Sequence, residues 1–350
     1  METFSGCAAY KDYVTEALTL EYTTDFWTGV PCWSCEVSIA TVGAPPRAVA
    51  FTAAEEDVAT ASPQPAPSAG LEADGGGSRV NDTNTQEQGV DEADRVESKA
   101  DGSLMFFLDS GYGGPSQVVI LNTADPANTE VISRIPLDDG RFASGMYYDE
   151  PNERLSVVSS GGYFFPLAAS TDAAFAPEPA PGAQGSLVVS FDVSDPVNWT
   201  EISRFHTDAQ IISSRRIEDR LHLVSQYGIP LPQELRSQEF SSLVYDQYFT
   251  ALREEDQERI DELRAEIASQ IENAVAATAV ADLLPRNTLG QGGEAETLSC
   301  VNVYAPPVNQ RLGLIQVSSM DTAISSANSI GFLNNGWHRH SSRCCLLYTS

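Results

Sequence analysis

Lysine is almost absent from this 350-residue chain: Lys11 and Lys99 are its only lysines, and arginine supplies the rest of the 20 basic residues. Asp and Glu number 49, which gives a formal net charge of -29 at pH 7. A field of that sign repels phosphate backbones and anionic membrane surfaces, so we predict no nucleic-acid partner. Hydrophobic residues make up 42% of the chain, which is enough to build a core.

Features that identify membrane proteins, exported precursors and common enzymes are also missing. No run of about 18 or more apolar residues exists, so we predict no transmembrane segment. The N-terminus has no basic region followed by an apolar core, so it is not a signal peptide. G-x-S-x-G, H-E-x-x-H and P-loop motifs are absent, which argues against the enzyme classes that depend on them.

The six cysteines are compatible with several kinds of site. Cys32 and Cys35 form a C-x-x-C pair, which suits a structural disulfide, free thiols, a redox pair or half of a zinc site. The chain has four histidines, at His206, His222, His338 and His340. None is spaced from the pair as a zinc array requires, and His206 and His222 lie in predicted strands. We therefore favour structural thiols and predict no metal ion, cofactor or catalytic residue.

One phrase occurs twice and organises the chain. Residues 118–135 read VVILNTADPANTEVISRI, and residues 188–205 read VVSFDVSDPVNWTEISRF. The Asp125-Pro126 pair recurs as Asp195-Pro196, 70 residues later. A strand, an Asp-Pro turn and a second strand that occur twice indicate a repeated all-β unit.

Further strand-like segments surround both copies. We predict strands at 104–108, 117–122, 130–135, 154–159, 187–193, 201–205, 211–217, 220–225 and 298–304. About four short strands per 45 residues is the size of a propeller blade. A weaker third copy, LGLIQVSSMDTAI, begins at Leu312. The predicted fold is an all-β partial β-propeller of about three to four blades.

Two helical regions interrupt the β pattern. One is a short helix over 4–19, marked by Phe4, Tyr10, Tyr13, Val14 and Leu18. The other lies within 233–285, where apolar residues recur at helical spacing: Ile260, Leu263, Ile267, Ile271 and Val275. This insertion is either a helical excursion packed on the β domain or a lid or partner-binding hairpin.

These patterns divide the chain into successive parts. They are an N-terminal helical segment (1–43), a disordered linker (44–88), a β-propeller (89–333) with a loop insertion (163–184) and a helical insertion (233–285), and a tail (334–350). The tail places His338, His340, Cys344 and Cys345 close together, as a metal cluster would. It has no blade pattern, and we interpret it as an artefact of a truncated gene and assign it no function. Truncation would leave an open sheet edge, which predicts association despite the charge.

The chain resembles secreted bacterial and archaeal proteins with a C-terminal β-propeller domain distantly related to WD-type repeats. The resemblance rests on NTQEQGVDEADRVESKADG (84–102), DLLPR (282–286), LSCVNVYAPP (298–307), LGLIQVSSMD (312–321) and the N-terminal FSGCAAYKDYV (4–14). It implies an extracellular or cell-envelope protein whose signal peptide would lie upstream, and it carries over no catalytic residue.

Three functions fit these observations. The first is a non-catalytic extracytoplasmic binding or scaffold propeller for a protein or carbohydrate ligand. The second is a hydrolase or lyase that uses carboxylates in the propeller channel. The third is a divalent-cation-binding surface protein, with Asp91, Glu92 and Asp94 clustered and Asp192 and Asp195 flanking a turn. The spaced calcium-loop signature is absent, so a solvated acidic turn or a propeller-closing contact is the simpler interpretation of these acids.

Overall fold

The computed structural model describes residues 2–23, 90–110, 116–137, 141–161, 185–306 and 312–334. The linker, the loop insertion 163–184, the C-x-x-C pair and the tail beyond Asn334 lie outside the described residues. Within them, no helix is both long and apolar enough to cross a membrane.

Three sheets account for most of the described chain, and their strand pairs are antiparallel except for one parallel pair near the outer edge of the largest sheet. The strands are β1 (Glu2–Thr3), β2 (Val90–Glu92), β3 (Val96–Ser98), β4 (Leu104–Asp109), β5 (Ser116–Asn122), β6 (Glu130–Leu137), β7 (Phe142–Asp149), β8 (Arg154–Ser160), β9 (Ser186–Asp192), β10 (Thr200–Thr207), β11 (Gln210–Ile217), β12 (Arg220–Tyr227), β13 (Arg286–Leu289), β14 (Ala295–Thr297), β15 (Val303–Ala305), β16 (Gly313–Asp321) and β17 (Ala327–Asn334). The predicted all-β partial propeller is confirmed.

Each sheet contains one four-stranded blade. Blade 1 is β3-β4-β5-β6, blade 2 is β7-β8-β9-β10, and blade 3 is β11-β12-β16-β17. The repeated phrase is the third strand, the turn and the fourth strand of blades 1 and 2. The weaker third copy is β16, which occupies the same position in blade 3. The prediction of a structural repeat from the Asp-Pro phrase is therefore confirmed.

Additional strands extend the blades. The β13–β14 hairpin continues blade 2 beyond β10, and β15 and β1 continue blade 3 beyond β17. The predicted strand at 298–304 is wrong for most of its length. Cys300–Asn302 is a 3-10 turn, and only Val303–Ala305 is extended. Cys300, at the start of this turn, forms a disulfide with Cys7, which no strand pattern could reveal.

The blades stack face to face. Along the strands of blade 2, successive side chains point alternately towards blade 1 and towards blade 3. Towards blade 1 they join an apolar core that includes Phe106, Leu108, Val118, Ile120, Met146, Leu155, Val157, Val189 and Phe191. Towards blade 3 they join a smaller core of Tyr147, Val158, Val188, Phe205, Leu221, Leu223, Met320 and Ile324. Because side chains alternate between the two faces of a strand, blade 2 forms one interface with blade 1 and another with blade 3.

The helices are α1 (Cys7–Thr23), α2 (Gln238–Ser242), α3 (Phe249–Glu254) and α4 (Gln257–Ala277), with a π-helical segment, Leu243–Tyr248, between α2 and α3. The five apolar residues that predicted the second helical region are buried on α4.

The first helix starts later than predicted, because residues 2 and 3 pair with β15 as a strand. Phe4 then turns its ring onto Tyr10 and Tyr13.

These helices form one unit, the helical module, which shares a core with the outer part of blade 3. The Tyr10 hydroxyl donates to the Leu283 carbonyl at 3.0 Å, and the Tyr248 hydroxyl donates to the Thr23 carbonyl at 2.6 Å. The Cys7–Cys300 disulfide fixes the start of α1 to the turn before β15. The N-terminal helix is therefore part of the folded structure.

Candidate functional site

The acid-rich stretch at residues 90–98, which we name the hub segment, crosses all three blades. Its start pairs as β2 with β11, the inner strand of blade 3, and its end is β3, the first strand of blade 1. Between them, Asp94 and Met146 of blade 2 exchange backbone hydrogen bonds of 3.1 and 2.8 Å. A Cβ on Gly145 would lie 2.7 Å from the Ala93 Cβ, so this crossing requires glycine. The hub segment thus joins the inner strands of the stack.

Two arginines of β11 neutralise the first two acids of the hub segment. Arg215 lies 2.8 Å from a Glu92 carboxylate oxygen, and Arg216 lies 3.2 Å from one of Asp91. Arg216 also donates to the Tyr148 carbonyl at 2.7 Å. Because successive strand residues point to opposite faces, one arginine holds each side of β2.

Glu97 is the most deeply buried carboxyl group of the hub, with 4% of its surface exposed. Burial is the main cause that raises its pKa, to about 8, and the negative charges of Asp91 and Asp94 act in the same direction. Arg216 and the Tyr148 backbone amide oppose this shift. The pKa of Asp94 is also raised, first by burial and then by Glu92. The hub can therefore hold a proton near neutral pH.

Four of the five acids that suggested a cation site are engaged in other side-chain contacts. Asp91 and Glu92 form the arginine pairs, and Asp192 and Asp195 accept hydrogen bonds within their own turn. Across the described ranges, no group of three His, Cys, Asp or Glu side chains is arranged to hold a metal ion. His206 and His222 lie on β10 and β12, as predicted. The cluster of His338, His340, Cys344 and Cys345 lies outside those ranges.

A second candidate is the end of the stack where the first-to-second and third-to-fourth strand turns of every blade meet. We name this surface the turn face; it comprises residues 99–103, 123–129, 150–153, 193–199, 218–219 and 322–326. One backbone hydrogen bond of 2.9 Å joins the two turns in each blade: Thr123 to Ser103, Val193 to Glu153, and Thr322 to Asp219. The turn face is therefore built by the same contact three times.

Contacts between blades make the turn face continuous. The Ala100 amide of blade 1 donates to the Glu150 side chain of blade 2 at 3.1 Å. The Ser133 hydroxyl donates to the Pro196 carbonyl at 2.5 Å. Thr322 of blade 3 donates to the Asp149 carboxylate of blade 2 at 2.8 Å. These hydrogen bonds join the turns of the three blades into one ordered surface.

The turn face is strongly acidic. Its carboxylates, including those of the flanking strand ends, are Asp101, Asp125, Glu130, Asp149, Glu150, Glu153, Asp192, Asp195, Glu218, Asp219 and Asp321, and the basic side chains beside them are Lys99, Arg154 and Arg220. The Asn128 side chain and then the Ala127 amide lower the pKa of Asp125, and Asn198 does the same for Asp195. Hydrogen bonds within the local turns therefore keep these two carboxylates ionised at pH values below the usual carboxyl pKa range.

Sequence reasoning found the hub acids and the turns but missed their partners. The adjacent pair Arg215-Arg216 in a predicted strand was the available signal, because basic residues are scarce in this chain. The burial of Glu97 and the close approach at Gly145 depend on the crossing of three blades, which no local pattern encodes.

Comparison with known proteins agrees with this geometry. A family model described as a beta propeller domain matches residues 80–340. That range includes the hub segment, all three blades and α2–α4. No curated protein and no solved structure matches the chain.

Proposed function

This chain belongs to the beta propeller domain family, and from that premise we propose that it is a non-catalytic extracytoplasmic binding or scaffold protein whose turn face takes a basic protein partner. The observation that carries the proposal is the rigid, acidic turn face built by all three blades. Charge complementarity of this kind speeds association and selects partners by sign. A basic protein surface fits the charge better than a neutral carbohydrate does.

The turns also support the proposal by their stiffness. The carboxylates of Asp125 and Asp195 each accept hydrogen bonds from at least one backbone amide and from the asparagine side chain of their own turn, so the loop backbone is ordered before a ligand binds. Preordered loops lose less conformational entropy when they bind. Flexible loops with the same negative charge would bind a basic partner with lower affinity, because they would lose more conformational entropy on binding.

A matched pair of triple variants tests this function. Glu153→Gln, Glu218→Gln and Asp219→Asn remove three charges from the turn face. Glu254→Gln, Glu258→Gln and Glu266→Gln remove three exposed charges from the helical module. We expect only the first set to weaken binding of a lysine- and arginine-rich peptide, measured by titration calorimetry at two salt concentrations, by about tenfold. Equal losses in both sets would reject the turn face as the site. Tight binding of a neutral glycan instead would favour a carbohydrate ligand.

We propose further that the protein is exported to the envelope or the exterior of a bacterial or archaeal cell. The disulfide between Cys7 and Cys300 supports this, because such bonds persist in oxidising compartments and are rare in the cytosol. Thiol alkylation before and after reduction, applied to protein taken directly from cells, tests the proposal. Free Cys7 and Cys300 thiols in the native protein would contradict it.

The alternative of an enzyme is favoured by one observation, the raised pKa of Glu97. A carboxyl group that keeps its proton near neutrality is suited to general acid catalysis. With 4% of its surface exposed, however, Glu97 offers little access to a substrate. A hydrolase or lyase activity that Glu97→Gln abolishes, in a variant that stays folded, would favour this alternative. Calcium binding lost in Asp91→Asn would favour the cation-binding alternative.

A further inference from the structure

One junction on the turn face places a buried aromatic hydroxyl among carboxylates. Tyr148, near the end of β7, packs towards blade 1 against Phe106, with ring centroids 4.8 Å apart. Only 6% of the Tyr148 surface is exposed. Within the part of the chain that the structure describes, its hydroxyl makes no hydrogen bond. Because the hydroxyl of so buried a residue is normally paired, this one indicates a place for a ligand group.

The charges that act on this hydroxyl identify its neighbours. Burial is the main cause that raises the pKa of Tyr148, to about 12, and the negative charges of Glu150, Glu153, Asp101 and Asp149 act in the same direction. The hydroxyl keeps its proton at neutral pH, so it can donate to a carboxylate while it accepts from a cation. We name Tyr148 and these four acids the junction cluster.

The junction cluster is formed by turns from two blades. Asp101 lies in the turn between β3 and β4, and Glu150 and Glu153 lie in the turn between β7 and β8. The Ala100 amide donates to one Glu150 oxygen at 3.1 Å, which holds the two turns together. Acceptors on two sides suit a planar group with several N–H donors, such as a guanidinium, better than they suit a compact ammonium.

Of the four acids, Glu153 has the weakest contacts among the described residues. Its ion-pair partner there is Lys99, at 3.9 Å, and the side chains of Glu153 and Lys99 are 44% and 30% exposed. An exposed pair of this kind contributes little to stability, so an incoming cation can replace Lys99. Asp149, by contrast, already accepts hydrogen bonds from Asn152 and Thr322. Glu153 is therefore the carboxylate that is most available to a ligand.

We propose that the junction cluster binds one arginine side chain of the basic partner, and that Glu153 and Tyr148 determine this specificity. The inference rests on the function proposed above and adds to it: the turn face attracts a basic surface as a whole, and the junction cluster selects one residue of that surface. The guanidinium donates to the Glu153 carboxylate and to the Tyr148 hydroxyl, and it displaces the Lys99 ammonium.

The matching turn of blade 3 provides an internal comparison. In the strand register, Arg216 of blade 3 stands where blade 2 has Tyr148, since each pairs with the second residue of the following strand. Glu218, like Glu153, has a left-handed backbone, with φ of 56° against 50°. Glu218 therefore offers the same charge on a similar turn, without a tyrosine at the matching position.

Binding of two matched peptides to the full chain tests the inference. Arginine alternates with glycine in one peptide, and lysine replaces every arginine in the other. By titration calorimetry at about 0.15 M salt, Tyr148→Phe and Glu153→Gln should each weaken binding of the arginine peptide about fivefold. Glu218→Gln should weaken it less than about twofold. Tyr148→Phe should change binding of the lysine peptide less than about twofold, because an ammonium meets the exposed carboxylates without the hydroxyl.

Two further measurements separate binding from folding. Tyr304 stacks on Phe332 at the outer edge of blade 3, so Tyr304→Phe removes a hydroxyl away from the turn face and should not alter binding. Tyr148→Phe keeps the ring and should leave the urea unfolding midpoint unchanged. In the full chain labelled with carbon-13 at tyrosine Cζ, the arginine peptide should shift the resonance that is missing from the spectrum of Tyr148→Phe.

The other outcomes separate this inference from the proposed function. Equal losses in Glu153→Gln and Glu218→Gln, with none in Tyr148→Phe, would show that the turn face binds by overall charge alone; the proposed function would stand and the junction cluster would be rejected. Equal losses for both peptides in Tyr148→Phe would overturn the choice of arginine, and an unshifted Tyr148 resonance would overturn the site. An unaltered chain that binds neither peptide would reject the proposed function and this inference together.

Discussion

The two interfaces within the blade stack differ in the polarity of their buried side chains. Between blades 1 and 2 the contact is a broad apolar core that contains Phe106, Ile120, Leu155 and Phe191. Between blades 2 and 3 a smaller apolar core lies beside buried Ser190, Thr207, Ser225, Gln316 and Ser318. The first interface owes its stability to apolar burial, whereas the second adds hydrogen bonds that require exact partners. A propeller can therefore vary the chemistry between its blades while it keeps one geometry.

The largest expected effect comes from truncation in the apolar interface. Phe106 is fully buried on β4, so Phe106→Ala should lower the free energy of unfolding by about 3–5 kcal/mol through lost burial and a new cavity. Phe142→Ala removes the same side chain at a position that is 54% exposed, and it should cost less than about 1 kcal/mol. Urea unfolding compares the two variants. Similar losses would mean that the core between blades 1 and 2 is not packed as described.

The contact between the helical module and blade 3 differs from both interfaces because it is covalent. Joint replacement Cys7→Ser and Cys300→Ser should lower the free energy of unfolding by about 2–4 kcal/mol, since the crosslink restricts the unfolded chain. Thermal unfolding with and without reductant checks this value. The reductant should shift the transition of the unaltered chain only, and an equal shift in the double variant would contradict the role of this bond.

Two buried serines in the polar interface between blades 2 and 3 should differ in their contributions to stability. The Ser190 hydroxyl donates to the Thr322 carbonyl at 2.6 Å, so Ser190→Ala should cost about 1–2 kcal/mol because it leaves that buried carbonyl unpaired. Among the residues that the structure describes, the buried Ser225 hydroxyl has no hydrogen-bond partner, so Ser225→Ala should change stability by less than about 0.5 kcal/mol. Urea unfolding measures both variants. The reverse order would show that the hydrogen bonds between blades 2 and 3 are misassigned.

The effect of Glu97→Gln depends on pH and is smallest at the acid end of the range. The folded pKa of Glu97, about 8, lies above the unfolded value of 4.5, so the folded state keeps the proton while the unfolded state loses it. Stability from this group is full below pH 4.5 and is lost as the pH rises towards about 8. Glu97→Gln mimics the protonated form, so it should match the unaltered chain near the acid end of this window and be more stable at the alkaline end. Unfolding free energies across the window measure this difference, and parallel curves would contradict the assigned pKa.

The sequence predicted the apolar interface better than the polar one. The apolar runs at 118–121 and 187–189 placed strands correctly, because a strand that lies between two other layers is apolar on both of its faces. Ser190, Thr207 and Gln316 look like exposed strand residues in the sequence, and only the packing of blade 3 onto blade 2 buries them. Their partners are distant along the chain: Gln316 donates to Thr207 at 3.3 Å. No local pattern encodes such pairs.

Of the two candidate sites, the sequence revealed the one with local contacts and missed the contacts of the one that depends on distant residues. The Asp-Pro turns were visible because Asp125 and Asp195 act on their own neighbours. The hub contacts were not, because Asp91 meets Arg216 only after β2 pairs with β11 across more than one hundred residues of chain. The start of α1 was misjudged for a similar reason, since residues 2–3 pair with a strand near the other end of the chain.

The most direct test of this account is amide hydrogen exchange in the hub segment. If residues 90–98 join the inner strands of three blades, the amides of Asp94 and Met146, which bond each other's carbonyls, should exchange as slowly as those of β5. The exposed turn at 291–294, between β13 and β14, provides a fast-exchanging reference. Protection of the hub segment equal to that of β5 is the predicted result. Exchange of Asp94 and Met146 as fast as that of the turn would contradict the hub and, with it, the arrangement of the three blades.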